Sequence, residues 1–236
     1  MDLFDLGLPA EIAESAERVL HPITRRLFST RSLPNKSISN QLSKAGFSLD
    51  SVKYIFLSHL HFDHIGDLNE FKDATIVIGE DTDLDHLSKL DGFDPEPIHD
   101  LNKLNLIQTL SFHRGTPLAT FEKAIDYFKD GSIQIIKGGG HVDGSIALLI
   151  QLQDGPVLLS GDEVVHFDWL NHDDVQRISK NPNRIADIRN RIRMLIQLAP
   201  EVVLIPGHDL SKLPLNRNDI IYHNPDYFTQ ELWPTN

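Results

Sequence analysis

The stretch Ser58-His59-Leu60-His61-Phe62-Asp63-His64-Ile65-Gly66-Asp67 decides how the rest of the chain is read. It follows directly on Tyr54-Ile-Phe-Leu-Ser58, a short β-prone run, so the histidines begin where a strand stops. In an extended segment residues two apart project to one side, which lets His59 and His61 face a common ion. Asp63 and His64, past the bend, can face a second one. Neutral imidazole and carboxylate together suit zinc, manganese or iron, and pairs of such ions about 3.5–4 Å apart clamp the attacking and leaving oxygens in hydrolysis. Any one of these histidines alone reads as part of a solvated loop. Four candidate ligands so spaced, straight after an apolar strand, read as a metal site.

Composition agrees with this chemistry and removes others. The chain has 12 histidines and no cysteine, so disulfides, thiolate ligands, iron–sulfur clusters and a cysteine nucleophile are excluded, and any metal must be held by imidazole and carboxylate. Lys and Arg number 22 against 34 acids, a formal charge of −12, which argues against a nucleic-acid partner. No apolar run approaches the roughly 18 residues that span a bilayer, so no membrane partner is expected. The N-terminus has no basic residue ahead of its short apolar stretch, does not read as a secretory signal, and points to the cytoplasm. At 236 residues a single domain, 1–236, is expected.

Outward from the histidines the pattern is mixed α/β. Ser37 to Ala45 reads as a helix closed by Gly46, Thr75 to Ile78 as a strand, and Asp83 to Leu90 as a helix with Asp81 or Thr82 near its cap. Ser132 to Ile136, Ser145 to Leu152 and Pro156 to Leu159 form a strand series, the last two joined by a hairpin turn at Gln153-Asp154-Gly155. Arg184 to Leu198 places Ile185, Ile188, Ile192, Leu195 and Ile196 on one face at helical spacing, with Arg189, Arg191 and Arg193 mostly elsewhere. Val202 to Ile205 is a final strand.

Four side chains are too few for two ions, so further ligands are expected beside tight turns. Gly138-Gly139-Gly140-His141 offers a histidine after three residues whose lack of Cβ lets the backbone pass close to an ion; taken alone, it reads equally as a flexible loop. Leu158-Leu159-Ser160-Gly161-Asp162 ends an apolar strand in an acid, and Pro206-Gly207-His208-Asp209 repeats that pattern with a histidine. Strand ends converging on one edge are where α/β proteins place their chemistry.

With these residues in view the chain resembles the metallo-β-lactamase superfamily, and within it the zinc lactonases that open N-acyl homoserine lactone rings. The resemblance spans scattered motifs from Asp5 to Asp209 in the expected order. It implies a four-layer αβ/βα sandwich with two Zn2+ ions, Mn2+ or Fe2+ being alternatives. It also implies His59, His61 and His141 on the first ion, Asp63, His64 and His208 on the second, and Asp162 bridging them. The implied reaction is attack of a metal-bridging hydroxide on a lactone or small ester, with Asp63 passing a proton to the leaving oxygen. Phe4-Asp5-Leu6-Gly7 resembles the family's Asp-x-Gly strand end, which makes Asp5 a candidate for supporting a ligand; a surface turn is an equal reading. A histidine at His61, where the redox di-iron branch has glutamate, points to hydrolysis.

Two departures bear on substrate and fold. Homoserine-lactone hydrolases commonly have a tyrosine three residues after the bridging aspartate, where this chain has Val165 followed by His166. His166 is a candidate to replace it at the pocket; a surface histidine beside Phe167 and Trp169 is the other reading. Family members usually have two or more strands before the Asp-x-Gly element, so the first N-terminal strands are expected to be missing. The exposed sheet edge then calls for a cover, for which a second copy in a homodimer is one candidate. Leu106 to His113 and Thr116 to Phe128 fall where the family places substrate-covering loops. The leading function is a dinuclear lactone or ester hydrolase acting on a small molecule. The alternatives are a glyoxalase II type thioesterase, opposed by the mere 28 residues after His208, and a non-catalytic metal-binding member of the fold.

Overall fold

Two β-sheets carry the chain, and the computed structural model describes residues 1–27, 37–104, 106–170, 179 and 181–211. They belong to two compact units, one of Met1–Ile78 with Asp83–Thr109, the other of Gly79–Thr82 with the residues from Leu110 onward.

The first unit contains, in chain order, β1 (Asp2–Phe4), α1 (Glu11–Val19), α2 (Pro22–Leu27), α3 (Ile38–Lys44), β2 (Tyr54–Phe56), α4 (Phe62–Ile65), β3 (Thr75–Gly79), α5 (Pro95–Lys103) and β4 (Ile107–Leu110). The sheet order is β1-β2-β3-β4, with β1 parallel to β2 and β2 parallel to β3. Parallel strands are covered on both faces and so read as unbroken apolar runs. Ile55, Phe56, Leu57, Ile76, Val77 and Ile78 accordingly are all buried. Leu42 of α3 and Ile98 and Leu101 of α5 join Ile55, Leu57, Phe71 and Ile76 in one core cluster. The expected start of α3 is seen: the Asn40 N–H donates to Ser37 Oγ at 3.3 Å, and Gly46, at φ +84°, ends the segment in a conformation that disfavours other residues. β1 is an edge strand, and among the described residues no strand pairs with its outer side.

The helix expected over Asp83 to Leu90 is not formed. Asp83 Oδ1 instead accepts the N–H groups of Asp85 and His86, both at 3.1 Å, a local turn that competes with helix propagation, and only a short 3-10 turn follows at Lys89–Asp91. Thr82 Oγ1 donates to the Gly79 carbonyl rather than capping a helix.

The second unit contains β5 (Thr116–Leu118), β6 (Phe121–Asp126), β7 (Ile133–Lys137), β8 (Ile146–Leu152), β9 (Gly155–Leu159), α6 (Pro182–Leu198) and β10 (Val203–Ile205). The sheet runs β10-β9-β8-β7-β6-β5, antiparallel from β9 to β5, with β10 parallel to β9. The expected hairpin is present, its turn shortened to Gln153-Asp154 because Gly155 already pairs with Leu152. Ile188, Ile192 and Leu195 of α6 pack with Ala147, Leu158, Phe121 and Leu204, so this helix lies on the sheet as its spacing predicts. Within Leu106 to His113 and Thr116 to Phe128, the segments expected to cover a substrate, the chain forms β4, β5 and β6 joined by short turns. Among the described residues no helix is long and apolar enough to cross a membrane.

Candidate metal centre

In the first unit β2 delivers the histidines and β1 braces them. The Asp5 N–H donates to the Phe56 carbonyl at 3.0 Å and the Leu6 N–H to the His64 carbonyl at 2.7 Å, so the N-terminal strand is stitched to the histidine loop. Asp5 itself adopts φ +54°, a conformation that Asp tolerates better than most residues and that turns its carboxylate inward. Oδ1 accepts the Ser58 N–H and Oδ2 the Ser58 hydroxyl, both at 2.7 Å, while Oδ2 also lies 2.8 Å from His64 Nδ1. Asp5 therefore supports a ligand candidate rather than marking a surface turn. Ser58, unremarked in the sequence, shares that carboxylate.

The loop then gathers its side chains. His59 and His64 are buried with ring centroids 4.1 Å apart, and His59 Nε2 approaches His61 Nδ1 to 2.8 Å. The His61 ring rests on Phe93 at 4.8 Å, and a Cβ on Gly92 would stand 3.3 Å from it. Asp63 Oδ1 lies 3.9 Å from His64 Nε2 and remains part-exposed.

In the second unit the ends of β9 and β10 are zipped together beyond the strands. The Ser160 N–H donates to the Ile205 carbonyl, Gly207 N–H to Gly161 and Val164 carbonyls, and His208 N–H to the Val165 carbonyl, all at 3.0–3.1 Å. This brings Asp162 between two imidazoles: Oδ2 is 3.5 Å from His141 Nε2 and Oδ1 is 3.2 Å from His208 Nε2. Gly207 is required here because a Cβ would stand 2.4 Å from Asp162 Oδ1. Asp209 accepts the Phe167 N–H, and hydrogen bonds from Ser211 hold its carboxyl down to about 2.

Two groups to which the sequence assigned no part in the site lie beneath this half. Glu163 is fully buried, and burial pushes its carboxyl up while the backbone N–H groups of Gly140, Gly139 and His141 pull it back. Arg189, one of the three arginines read as mostly off the apolar face of α6, is buried and donates from Nε to the Glu163 carbonyl at 3.0 Å. Only the fold brings these segments together; the usable signal was an acid directly after a strand-end ligand.

His166 is exposed, its ring edge-on to Trp169 with centroids 5.4 Å apart. Val165 is buried. Of the aromatic residues available for a pocket, Phe62, Phe112 and Phe121 are core.

The family model for the metallo-β-lactamase superfamily matches residues 3–208. The chain belongs to the metallo-β-lactamase superfamily. A solved N-acyl homoserine lactone hydrolase with its product N-hexanoyl-L-homoserine at the catalytic metal centre superposes with a TM-score of 0.69 at 21% identity, over 89% of this chain and 77% of that one. Among curated relatives, the cytochrome P450 monooxygenase mpaDE of Penicillium roqueforti is 31% identical over 70% of this chain but only 20% of its own length. The N-acyl homoserine lactonase AttM of Rhizobium radiobacter is 26% identical over 72% of this chain and 63% of its own. The chain thus spans from a fifth to under two thirds of these relatives.

The residues of this metallo-β-lactamase member fit divalent ions. Each half-set consists of imidazole nitrogens and carboxylate oxygens only, held by backbone and carboxylate partners behind them, with His59, His64, His141 and Asp162 buried. Buried carboxylate and imidazole at such spacing, without thiolate, is a donor set for a hard or borderline divalent cation.

Proposed function

We propose that the chain is a dinuclear metal-dependent hydrolase that opens a lactone or cleaves a related small ester. His59, His61 and His141 would hold one ion, Asp63, His64 and His208 the other, with Asp162 shared between them. Zinc is the first choice. The observation that carries the reading is the placement of Asp162 between His141 and His208, at 3.5 and 3.2 Å, on the zipped ends of β9 and β10. The lactonase likeness of the fold supports the same substrate class.

When bound, the ions supply Lewis acidity toward the scissile carbonyl. The chain's own groups then divide the remaining work. Part-exposed Asp63 would carry a proton to the leaving oxygen, and Asp5, 2.8 Å from Nδ1, would keep the His64 ring oriented. Val165, buried and without a hydroxyl, supplies no carbonyl donor, so we assign that orienting hydrogen bond to exposed His166.

The test is metal analysis of the purified full chain, followed by a panel of lactones, aryl esters and thioesters with and without chelator. Chelator-sensitive turnover of lactones or esters is expected. Preference for thioesters would move the chain to a glyoxalase II type activity, and two bound ions without turnover of any member would leave a non-catalytic metal protein.

A further inference from the structure

The loop that presents His141 begins with three glycines, a run whose unfolded freedom is the largest any tripeptide can have. In the folded chain it has almost none. The N–H groups of Gly139 and Gly140 both donate to Glu163 Oε1, at 2.8 and 2.9 Å, although 24 and 23 residues separate them in sequence. A Cβ on Gly138 would stand 2.5 Å from Glu163 Oε1, and one on Gly140 would stand 2.6 Å from Oε2 and 2.5 Å from the Ile185 Cα of α6. Gly139 adopts φ +88°, with the Arg184 guanidinium against it. The Gly138 N–H donates to the Ser145 carbonyl at 3.0 Å, and the Gly140 carbonyl accepts from Ser179 Oγ at 2.5 Å.

The three glycines are therefore not present for flexibility. They allow the backbone to lie on a buried carboxylate on one side and on α6 on the other. Each contact would be lost to a side chain at positions 138 and 140. Glu163 follows Asp162, so the same short turn that offers one ligand candidate also fixes the backbone that offers another, His141.

We infer that Glu163 is a positioning residue whose side chain sets the Gly138–Gly140 backbone, and through it the His141 imidazole, before any ion arrives. The inference rests on the reading of His141 as a ligand. On this reading the backbone that carries His141 is set by the protein itself and does not wait for a metal to order it.

Two measurements on the full chain test it. In the metal-free protein, amide hydrogen exchange at Gly139 and Gly140 should be slow, like that of strand β8 rather than the turn at Asp154. Exchange as fast as that turn overturns the inference whatever the metal content, and needs no variant to fold. In parallel, Zn2+ and Co2+ are titrated against a chelator. The wild type should take two ions, and Glu163→Leu should weaken one of them by about 10–100-fold and alter the Co2+ visible spectrum while leaving the other affinity in place. Glu163→Gln, which keeps an oxygen to accept both N–H groups, should recover most of the loss. Wild type that binds no ion sinks the metal reading itself. Wild type with two ions and a Glu163→Leu variant with both affinities and the spectrum unchanged sinks the positioning role alone.

Discussion

The Asp5 carboxylate lies 2.8 Å from Nδ1 of His64 and takes two further hydrogen bonds, each 2.7 Å, from the backbone and hydroxyl of Ser58. A carboxylate at Nδ1 holds the proton there and leaves Nε2 as the lone-pair atom, the tautomer a metal ligand needs. Asp5→Asn keeps the shape, but its amide N–H would donate to Nδ1 and drive the proton to Nε2. The expected outcome is a loss of about 10–100-fold in affinity for one ion, read by chelator competition, with the fold retained by circular dichroism. Wild-type affinity in this variant would show that the ring is oriented by other contacts.

Gly207 tests the other half. Its missing Cβ makes room for Asp162 Oδ1, which a methyl group would meet at 2.4 Å, and for the Gly161 carbonyl at 2.9 Å. Neither neighbour can withdraw cheaply, since Asp162 sits between His141 and His208 and Gly161 accepts the Gly207 N–H. Gly207→Ala should cost about 1–3 kcal/mol of stability, the usual penalty for overpacking, and should lower metal content more than a distant mutation of equal destabilisation. Full metal occupancy in the variant would remove the steric account.

The histidine loop was legible because strand and ligand signals are local: His59, Asp162 and His208 each lie three positions after the end of their own strand, β2, β9 and β10. Periodicity also gave the buried face of α6 through Ile185, Ile188, Ile192 and Leu195. It misplaced Arg189, which is buried by a hydrogen bond to the Glu163 carbonyl that no spacing rule contains. β6 escaped notice because its burial, with Phe121 and Ala124 inward and Glu122 and Lys123 both exposed, breaks the period of two. Asp83 was read as the start of a helix when its side chain closes a turn on itself, a choice between two local hydrogen-bond patterns that the residue type allows equally. Glu163 stood out in the sequence only as an acid beside Asp162; its partners lie more than twenty residues away, so its role was not legible.

Asp67 makes stability depend on pH in a defined direction. It lines a cavity of about 220 Å³ with Pro9, Val19 and Phe62, and burial raises its carboxyl pKa despite the Ala10 N–H that donates to Oδ1 at 2.8 Å. A carboxyl with a raised folded pKa binds more protons in the native state than in the unfolded state. Stability therefore falls as pH rises from the ordinary value of 3.8 through the folded pKa, and the loss is complete above it. Asp67→Asn keeps an oxygen for the Ala10 N–H and never ionises. Its melting temperature should exceed that of the wild type at pH 7.5, with the gain shrinking toward pH 4. A gain independent of pH, or none, would show that ionisation of Asp67 is not what the fold opposes.

His166 carries the substrate question. The buried side chain of Val165 gives no donor, and the next residue places an exposed imidazole edge-on to Trp169, in the turn whose Val165 carbonyl accepts the His208 N–H. An imidazole so placed can donate a hydrogen bond to a carbonyl oxygen that gains charge during attack. Groups of this kind contribute on the order of 10²–10³ to turnover because the bond strengthens as charge develops. His166→Ala should therefore lower kcat on the preferred lactone or ester by about 10²-fold while both ions remain bound, and KM should change much less. His166→Gln, which retains an N–H donor, should recover part of the rate. If His166→Ala turns over at the wild-type rate, the ring serves only Trp169, and the carbonyl must be oriented by the metal centre alone.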